Sequence, residues 1–181
     1  MTLSIHPART DADFAALHGL RQRMALWDVA MSQADGDAAE DILTAYYAAG
    51  PAEMRAVFGR PGAGVFLARS GFNTIGSLGF SRHDASTAEL QLFYVADESR
   101  GMGTGRALIA KVLARLTAQS YRRAVLETAH FMTAAIALYR ASGFQTCTPF
   151  RPTPPGVTIP SVFMNRDLSP DAPLGGSRNR G

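Results

Sequence analysis

The chain has 181 residues, of which 46% are hydrophobic, so it can bury one substantial core and fits the size of a single domain. A net charge of +3, without an apolar run that could span a bilayer, favours a globular protein over a disordered or membrane-spanning one. The single cysteine, Cys147, excludes an internal disulfide and a multi-thiolate metal site. The first residues lack a basic segment followed by an apolar one, and we therefore expect a cytoplasmic protein.

The first predicted elements are a short strand and a long helix. Residues 3–5 alternate as a strand does, and the segment from Thr10 to Asp13 matches a capping box at a helix start. The apolar residues that follow recur near one helix face. We expect these residues to lie in the core: Phe14, Leu17, Leu20, Met24 and Trp27.

The next segments are predicted to be a loop, a second helix and a hairpin. Residues 31–37 have the composition of a loop, and residues 38–49 predict a helix that the Gly-Pro pair at 50–51 ends. Two apolar stretches, residues 65–69 and 74–80, flank a turn that contains a glycine. This arrangement predicts a β-hairpin.

A predicted strand over residues 89–95 is followed by a glycine-rich turn and an amphipathic helix. Gly101, Gly103 and Gly105 lack a Cβ atom, so the backbone of the turn can approach a ligand closely. Arg100 adds a fixed positive charge, and the start of the helix presents free N–H groups with about half a positive charge. The turn therefore predicts a binding site for an anion such as a phosphate.

Four further elements are predicted after this helix, in the order strand, helix, strand and strand. They cover residues 121–129, 133–142, 144–148 and 161–168. The proline-rich residues 149–155 between the last two strands predict an extended loop. Residues 169–181 have little that could be buried and predict a disordered tail, which leaves one domain over residues 1–168.

Three of these segments resemble the GNAT superfamily of acetyltransferases. The spacing Arg-x-x-Gly-x-Gly, as Arg100, Gly103 and Gly105, is similar to the loop that holds the pyrophosphate of acyl-CoA in that family. The helix at 133–142 and the strand before it resemble the family's late elements. In the family this helix carries a tyrosine that faces the coenzyme sulfur, and Tyr139 stands at that place here. The resemblance implies an α/β fold with a mixed, mostly antiparallel sheet that is splayed between the fourth and fifth strands and carries helices on both faces.

The resemblance also implies a reaction, the direct transfer of an acetyl group from acetyl-CoA to a primary amine of a small molecule or peptide. Backbone N–H groups near Tyr94 and Val95 would polarise the thioester carbonyl, and those from Met102 to Arg106 would hold the pyrophosphate. The Tyr139 hydroxyl would hydrogen-bond the leaving sulfur. The residues expected to contact the coenzyme are Tyr94, Val95, Arg100, Gly101, Met102, Gly103, Thr104, Gly105 and Arg106.

Glu89 is the first candidate for a catalytic base, because several enzymes of the family carry a catalytic glutamate at this place in the strand. Without the resemblance, a charge this early in a strand would be expected to face solvent. Glu127, His130 and His83 are the alternatives. Many family members have an asparagine where this chain has Met132, so the contacts of that amide have no counterpart here.

Other classes of protein also contain a glycine-rich loop between a strand and a helix. A Rossmann dinucleotide site is disfavoured because Arg106 or Leu108 stands where its third glycine would be. A non-catalytic acyl-CoA-binding module, or an acetyltransferase acting on a protein N-terminus or a tRNA, would keep the loop. The four histidines show no ligand spacing, so we expect no metal. The arginines near the loop suit an anionic cofactor, which makes nucleic acid an unnecessary partner and leaves a homodimer open.

Overall fold

Residues 2–32 and 39–169 are described by a computed structural model. Within them, seven strands form one sheet in the order β1-β2-β3-β4-β5-β7-β6. The strands are β1 Leu3–Pro7, β2 Gly64–Ser70, β3 Asn73–Arg82, β4 Thr87–Val95, β5 Arg123–Ala129, β6 Gln145–Thr146 and β7 Ser161–Asp167. The helices are α1 Asp11–Ser32, α2 Ala39–Ile42, α3 Pro51–Phe58, α4 Thr104–Ala118 and α5 Thr133–Ala141.

The pairing of the strands makes the sheet mixed and mostly antiparallel. Strands β1 to β4 pair in sequence as antiparallel neighbours, and β7 pairs antiparallel with both β5 and β6. Strands β4 and β5 are parallel and are joined through α4, since a parallel pair needs a crossover that returns the chain to the same end of the sheet. The predicted α/β class and mixed sheet are confirmed.

Helices cover both faces of the sheet, and the alternation of side chains along β2 shows how. Phe66 and Ala68 pack in a cluster with residues of α4 and α5, whereas Val65 and Leu67 pack in another cluster with residues of α1 and α3. Successive side chains of a strand point to opposite faces, so a strand that is apolar at consecutive positions must be covered on both. The core therefore has two layers, one on each side of the sheet.

The sheet opens between β4 and β5. Their pairing ends at Leu90 opposite Leu126, although β4 continues to Val95. Beyond this point β4 is irregular, because Leu92 has a φ of 60° and its carbonyl accepts a 2.7 Å hydrogen bond from the hydroxyl of Ser77. The predicted splay between the fourth and fifth strands is confirmed, and it leaves one edge of β4 facing a cleft.

The start of the long helix is confirmed and its end is not where we expected. Thr10 and Asp13 form the capping box, since the N–H of Thr10 donates to Asp13 Oδ2 at 2.9 Å and the N–H of Asp13 donates to Thr10 Oγ1 at 3.2 Å. Helix α1 continues through Ser32 and so includes the first two residues of the predicted loop, 31–37, whose other residues lie outside the described residues. Trp27 is 38% exposed, so its assignment to the core was wrong; it contacts Phe131 edge-on instead.

The second predicted helix, residues 38–49, is replaced by a different arrangement. Only four residues of it form α2, and a π-helical segment, Leu43–Tyr47, follows. The Gly-Pro pair that was expected to end a helix begins α3: Pro51 is its first residue, and the N–H of Gly50 donates to Glu53 Oε2 at 2.9 Å. Proline lacks an N–H group and has a helical φ, so it suits the first position of a helix as well as the position after one.

The late strands are shorter than predicted. Of residues 144–148 only two form β6, and the Phe144 side chain before them lies in the core. Strand β5 begins two residues late because Tyr121 is buried in the connection from α4, where its hydroxyl donates to Gly62 O at 2.9 Å. The predicted tail, residues 169–181, lies outside the described residues apart from Ser169.

Two glycines in helices are predicted to respond oppositely to alanine. At Gly105 a Cβ atom would lie 2.8 Å from Leu138 Cδ2 and 3.1 Å from Phe93 Cζ, so Gly105→Ala must displace both side chains, at a cost of about 1–3 kcal/mol. This exceeds the usual helix gain of roughly 0.5–1 kcal/mol from replacing glycine, which Gly19→Ala realises because its Cβ would meet nothing within 4 Å. Urea unfolding should therefore show a loss of stability for Gly105→Ala and a gain for Gly19→Ala. Equal gains would contradict the close packing of α4 on α5.

Candidate active site

A cleft of about 560 Å³ lies where the sheet opens. Its walls come from α1, the π-helical segment, the open parts of β4 and β5, the start of α5, and the proline-rich loop. The side chains that can carry acid–base chemistry and line the cleft are Arg21, Asp28, Tyr46, Tyr47, Glu89, Tyr94, Glu127, Tyr139 and Arg151. The cleft therefore brings together the two predicted catalytic residues, Tyr139 and Glu89.

The glycine-rich turn presents backbone N–H groups at the start of α4. Gly101 and Gly103 have φ angles of 76° and 81°, a region that side chains make costly. The N–H of Ala107 donates to Gly103 O, so the three N–H groups of residues 104–106 precede the first helical hydrogen bond. A Cβ at Gly103 would meet no atom within 4 Å, and Met102 is 65% exposed. The turn thus offers donors to an anion that approaches from outside.

The side chains of Arg100 and Thr104 are held by the protein itself, unlike the backbone N–H groups of the turn. Arg100 forms an ion pair with Asp97 at 2.7 Å and donates from Nε to Val95 O at 3.2 Å, which ties its guanidinium to the turn itself. The side chain of Thr104 is buried, so at this position only the N–H is available to a ligand. Arg106 is exposed, and nothing in the described residues holds its side chain in one place.

Two aromatic rings hold the buried side chain of Tyr139 at the wall of the cleft. The ring centroids of Phe93 and Phe144 lie 5.5 Å and 5.7 Å from that of Tyr139, and the residue is 5% exposed. Burial raises the pKa of Tyr139 above its usual range, because the phenolate would lose its hydration. At neutral pH the side chain is therefore a hydrogen-bond donor of fixed position.

Glu89 is buried, contrary to the solvent-facing position that its place in the strand alone would predict. It is 7% exposed, and its Oε1 lies 2.9 Å from Arg151 Nη1. Burial raises the pKa of Glu89, and the positive charge of Arg151 opposes that rise. A carboxylate with a raised pKa is a stronger base than an exposed carboxylate with the ordinary pKa.

Arg151 joins Glu89 to Glu127, and no pattern in the sequence points to this residue. Its Nη2 and Nε each lie 2.8 Å from Glu127 Oε2, while Ser161 donates to Glu127 Oε1 at 2.6 Å. An arginine in a proline-rich loop is expected to face solvent, and only the approach of that loop to β4 and β5 reveals its two partners. Of the alternative bases, Glu127 lines the cleft, whereas His83 contacts the ring of Phe150 outside the cleft lining.

The residues that the structure describes, 2–32 and 39–169, contain no group of three or more histidine, cysteine, aspartate or glutamate side chains that could hold a metal ion. Across the same residues no helix is both long enough and apolar enough to cross a membrane.

An open mixed sheet, with a glycine-rich turn between the strand at the split and the helix that follows, is the architecture of an acyltransferase of the GNAT fold. Residues 14–144 match the model of the acetyltransferase (GNAT) family, and the chain belongs to this family of N-acetyltransferases. Family membership confirms the resemblance inferred from the glycine loop and the late helix. It does not by itself assign a role to any single side chain.

Comparisons with individual proteins agree with this assignment. N-acetyltransferase 8B of Rattus norvegicus is 35% identical over 97 residues, which cover 51% of this chain and 44% of the rat protein. The human N-acetyltransferase 8B is 34% identical over 74 residues, covering 40% and 33%. The chain thus spans less than half the length of these relatives.

Solved structures share the fold at low sequence identity. The ribosomal-protein-alanine N-acetyltransferase of Brucella melitensis superposes with a TM-score of 0.69 at 21% identity, covering 91% of this chain and 99% of that one. The ribosomal-protein-S18-alanine N-acetyltransferase of Escherichia coli gives 0.65 at 18% identity and covers 99% of both. These likenesses concern the fold alone.

The fold implies use of an acyl-CoA, and the residues of this chain fit such a group. A pyrophosphate needs backbone donors in an open turn, which residues 102–106 provide. An amide-bearing arm needs a strand edge without a strand partner, and the part of β4 beyond Leu90 has no pairing with β5 among the described residues. The open part of β4 lines the cleft, and the turn follows β4 directly along the chain.

Loss of Arg151 is predicted to destabilise the protein in a pH-dependent way. Arg151→Gln leaves Glu89 and Glu127 buried together without their cation, so the pKa of Glu89 should rise further. A group whose folded pKa is raised stabilises the fold at acid pH, and this contribution is lost as pH rises through the folded pKa. The variant should therefore lose about 1–3 kcal/mol near neutral pH, a range lowered for the 40% exposure of Arg151, and the deficit should shrink toward about pH 4.

Urea unfolding across this pH range is the measurement. Arg23→Gln serves as the control, because it removes an arginine from an exposed ion pair with Glu98 and should change stability little at any pH. A deficit in Arg151→Gln that is the same at acid and neutral pH would contradict the coupling of Arg151 to the two carboxylates.

Proposed function

We propose that the protein transfers an acetyl group from acetyl-CoA to a primary amine of a small molecule or peptide. The observation that carries the proposal is that one cleft, at the split in the sheet, contains a strand edge unpaired with β5, a buried tyrosine and a buried glutamate, and that a turn with N–H groups outside the helical hydrogen bonds follows that strand. Acetyl-CoA supplies an acetyl group activated as a thioester. The residues of the chain bind and orient it, exclude water and move protons.

Binding and polarisation are assigned to the backbone. The N–H groups of residues 102–106 bind the pyrophosphate, and the open edge of β4 pairs with the amides of the pantetheine arm. N–H groups near Tyr94 and Val95 are assigned to the carbonyl that gains negative charge during attack. Backbone donors suit this task because the sheet holds them in place before the reaction begins.

Tyr139 is assigned to the departing sulfur as a hydrogen-bond donor. With a phenol pKa near 10 and a thiol pKa near 8.5, full proton transfer to sulfur would be uphill by about 2 kcal/mol. Burial raises the pKa of Tyr139 and makes full transfer still less favourable. The hydroxyl therefore stabilises the developing charge while it keeps its proton.

Glu89 is assigned to the proton of the acceptor amine. Deprotonating a lysine-like amine costs roughly 4–5 kcal/mol near neutral pH. The enzyme therefore needs a base that accepts this proton better than water does. The raised pKa of Glu89 improves its strength as a base, and its contact with Arg151 holds the carboxylate in the cleft. Glu127 is the weaker candidate because Arg151 and Ser161 already hold both of its oxygens.

The first test measures the free CoA that the protein releases from acetyl-CoA in the presence of each of a panel of small amines and peptides. The same assay is run with the variant Tyr139→Phe. The phenylalanine keeps the ring packing, so we expect kcat to fall roughly 10²–10⁴-fold with little change in acetyl-CoA affinity. Tyr121→Phe is the matched control: it removes another buried hydroxyl, which bonds Gly62 O, and should cost about 1 kcal/mol of stability without changing kcat. Acetyl-CoA binding without turnover of any amine would instead indicate a binding module.

The second test concerns the base and uses pH–rate profiles. Glu89→Gln should depress kcat near neutral pH and recover part of it at high pH, because more of the acceptor is then deprotonated without help. Glu127→Gln should change the profile less. Superimposable profiles for the parent and Glu89→Gln, in a variant that still binds acetyl-CoA, would exclude Glu89 and leave Glu127, His130 or a water chain as the acceptor of the proton.

A further inference from the structure

One carboxylate of the cleft has no task in the proposed chemistry. Asp28, on α1, is 8% exposed and lines the same cleft as Glu89 and Tyr139. Its Oδ2 accepts a 2.9 Å hydrogen bond from the hydroxyl of Tyr47. Its Oδ1 is buried and has no hydrogen-bond partner among the described residues. Asp28 therefore brings an unpaired acceptor to the wall of the cleft that α1 and the π-helical segment form.

Arg21, which lies over the Tyr47 ring, does not pair with Asp28. Arg21 lies with its Cζ 5.4 Å from the centre of the Tyr47 ring, but its guanidinium donates to Tyr46 O and contacts Met54 Sδ at 3.5 Å. Burial raises the pKa of Asp28, and only the hydrogen bond from Tyr47 opposes that rise.

Asp28 differs from the other two carboxylates of the cleft in having no paired cation among the described residues, and this difference indicates what it could bind. Glu89 and Glu127 share the positive charge of Arg151, whereas no cation of the described chain contacts Asp28. A buried carboxylate with an orphaned oxygen is unfavourable unless a donor, best a charged one, completes it. A cationic group in the cleft would supply both the missing hydrogen bond and the missing charge.

We propose that Asp28 binds a second positively charged group of the acceptor, so that the preferred substrates are amines carrying an ammonium or guanidinium group distinct from the amine that reacts. This inference rests on the proposed acetyl transfer. Diamines and peptides with a basic residue near the reacting amine have this chemistry. Tyr47 positions the carboxylate, and the apolar residues Ile42 and Ile159, whose cluster Tyr47 packs against, line the same cleft.

The test compares α,ω-diamines of about three to eight carbons with the alkylamines in which a methyl group replaces the second ammonium. Calorimetric titration of the full chain should show at least one diamine binding roughly 10–100-fold more tightly than its partner alkylamine. Asp28→Asn should abolish most of this preference, since the amide keeps the shape and can still accept from Tyr47 but carries no charge. Asp11→Asn, the same change at an exposed position of α1, should leave the preference intact.

The outcomes separate this inference from the proposed function. A diamine preference that is absent at every length, or equally strong in Asp28→Asn, overturns the Asp28 subsite even if acetyl transfer is observed. A preference that Asp28→Asn removes, in a protein that releases no CoA, supports the subsite and refutes the transfer. Where turnover is seen, Asp28→Asn should raise KM for the diamine about 10–100-fold with little change in kcat, and should leave KM for the alkylamine unchanged.

Discussion

The end of pairing between β4 and β5 is the constraint on which the rest of the molecule depends. A strand that loses its neighbour exposes N–H and C=O groups, which soluble proteins normally cover. In this part of β4, Leu92 takes a φ of 60°, at a cost on the order of 1–3 kcal/mol, and its carbonyl accepts a hydrogen bond from the hydroxyl of Ser77 on β3, with which β4 remains paired. The two core layers that hold β4 on either face allow the protein to keep this irregular edge open.

Electrostatic balance divides the cleft into regions. Arg151 lies between Glu89 and Glu127, so that end of the cleft holds two negative charges against one positive charge. Asp28 lies at the wall formed by α1 with a hydrogen bond from Tyr47 and no cation. Both groups carry an excess of one negative charge, but Arg151 already pairs with the first two carboxylates, whereas no cation of the described residues pairs with Asp28. The first end suits proton transfer, and the second suits recognition of a cation.

What the sequence predicted well is what local chemistry determines. The glycine turn, the amphipathic α4 and the strand before it follow from neighbouring residues, and all three form as expected. Helix α3 was missed because Gly50 and Pro51 are compatible with either end of a helix. Arg151 and Asp28 could not be found from sequence, since their importance comes from partners on other elements: β4 and β5 for Arg151, and the segment containing Tyr47 for Asp28.

The glycines of the turn show why a motif can be predicted correctly while its physical basis is not. Gly103 suits the expected reason, because it has a positive φ and open space before it. Gly105 is required instead by Leu138 and Phe93, which leave no room for a side chain. Leu138 precedes Tyr139 on α5, and Phe93 also contacts the Tyr139 ring. The contact at Gly105 therefore sets the distance between α4, which begins at the turn, and α5, which carries the tyrosine. One glycine thus couples the turn proposed to bind an anion to the position of the proposed hydrogen-bond donor.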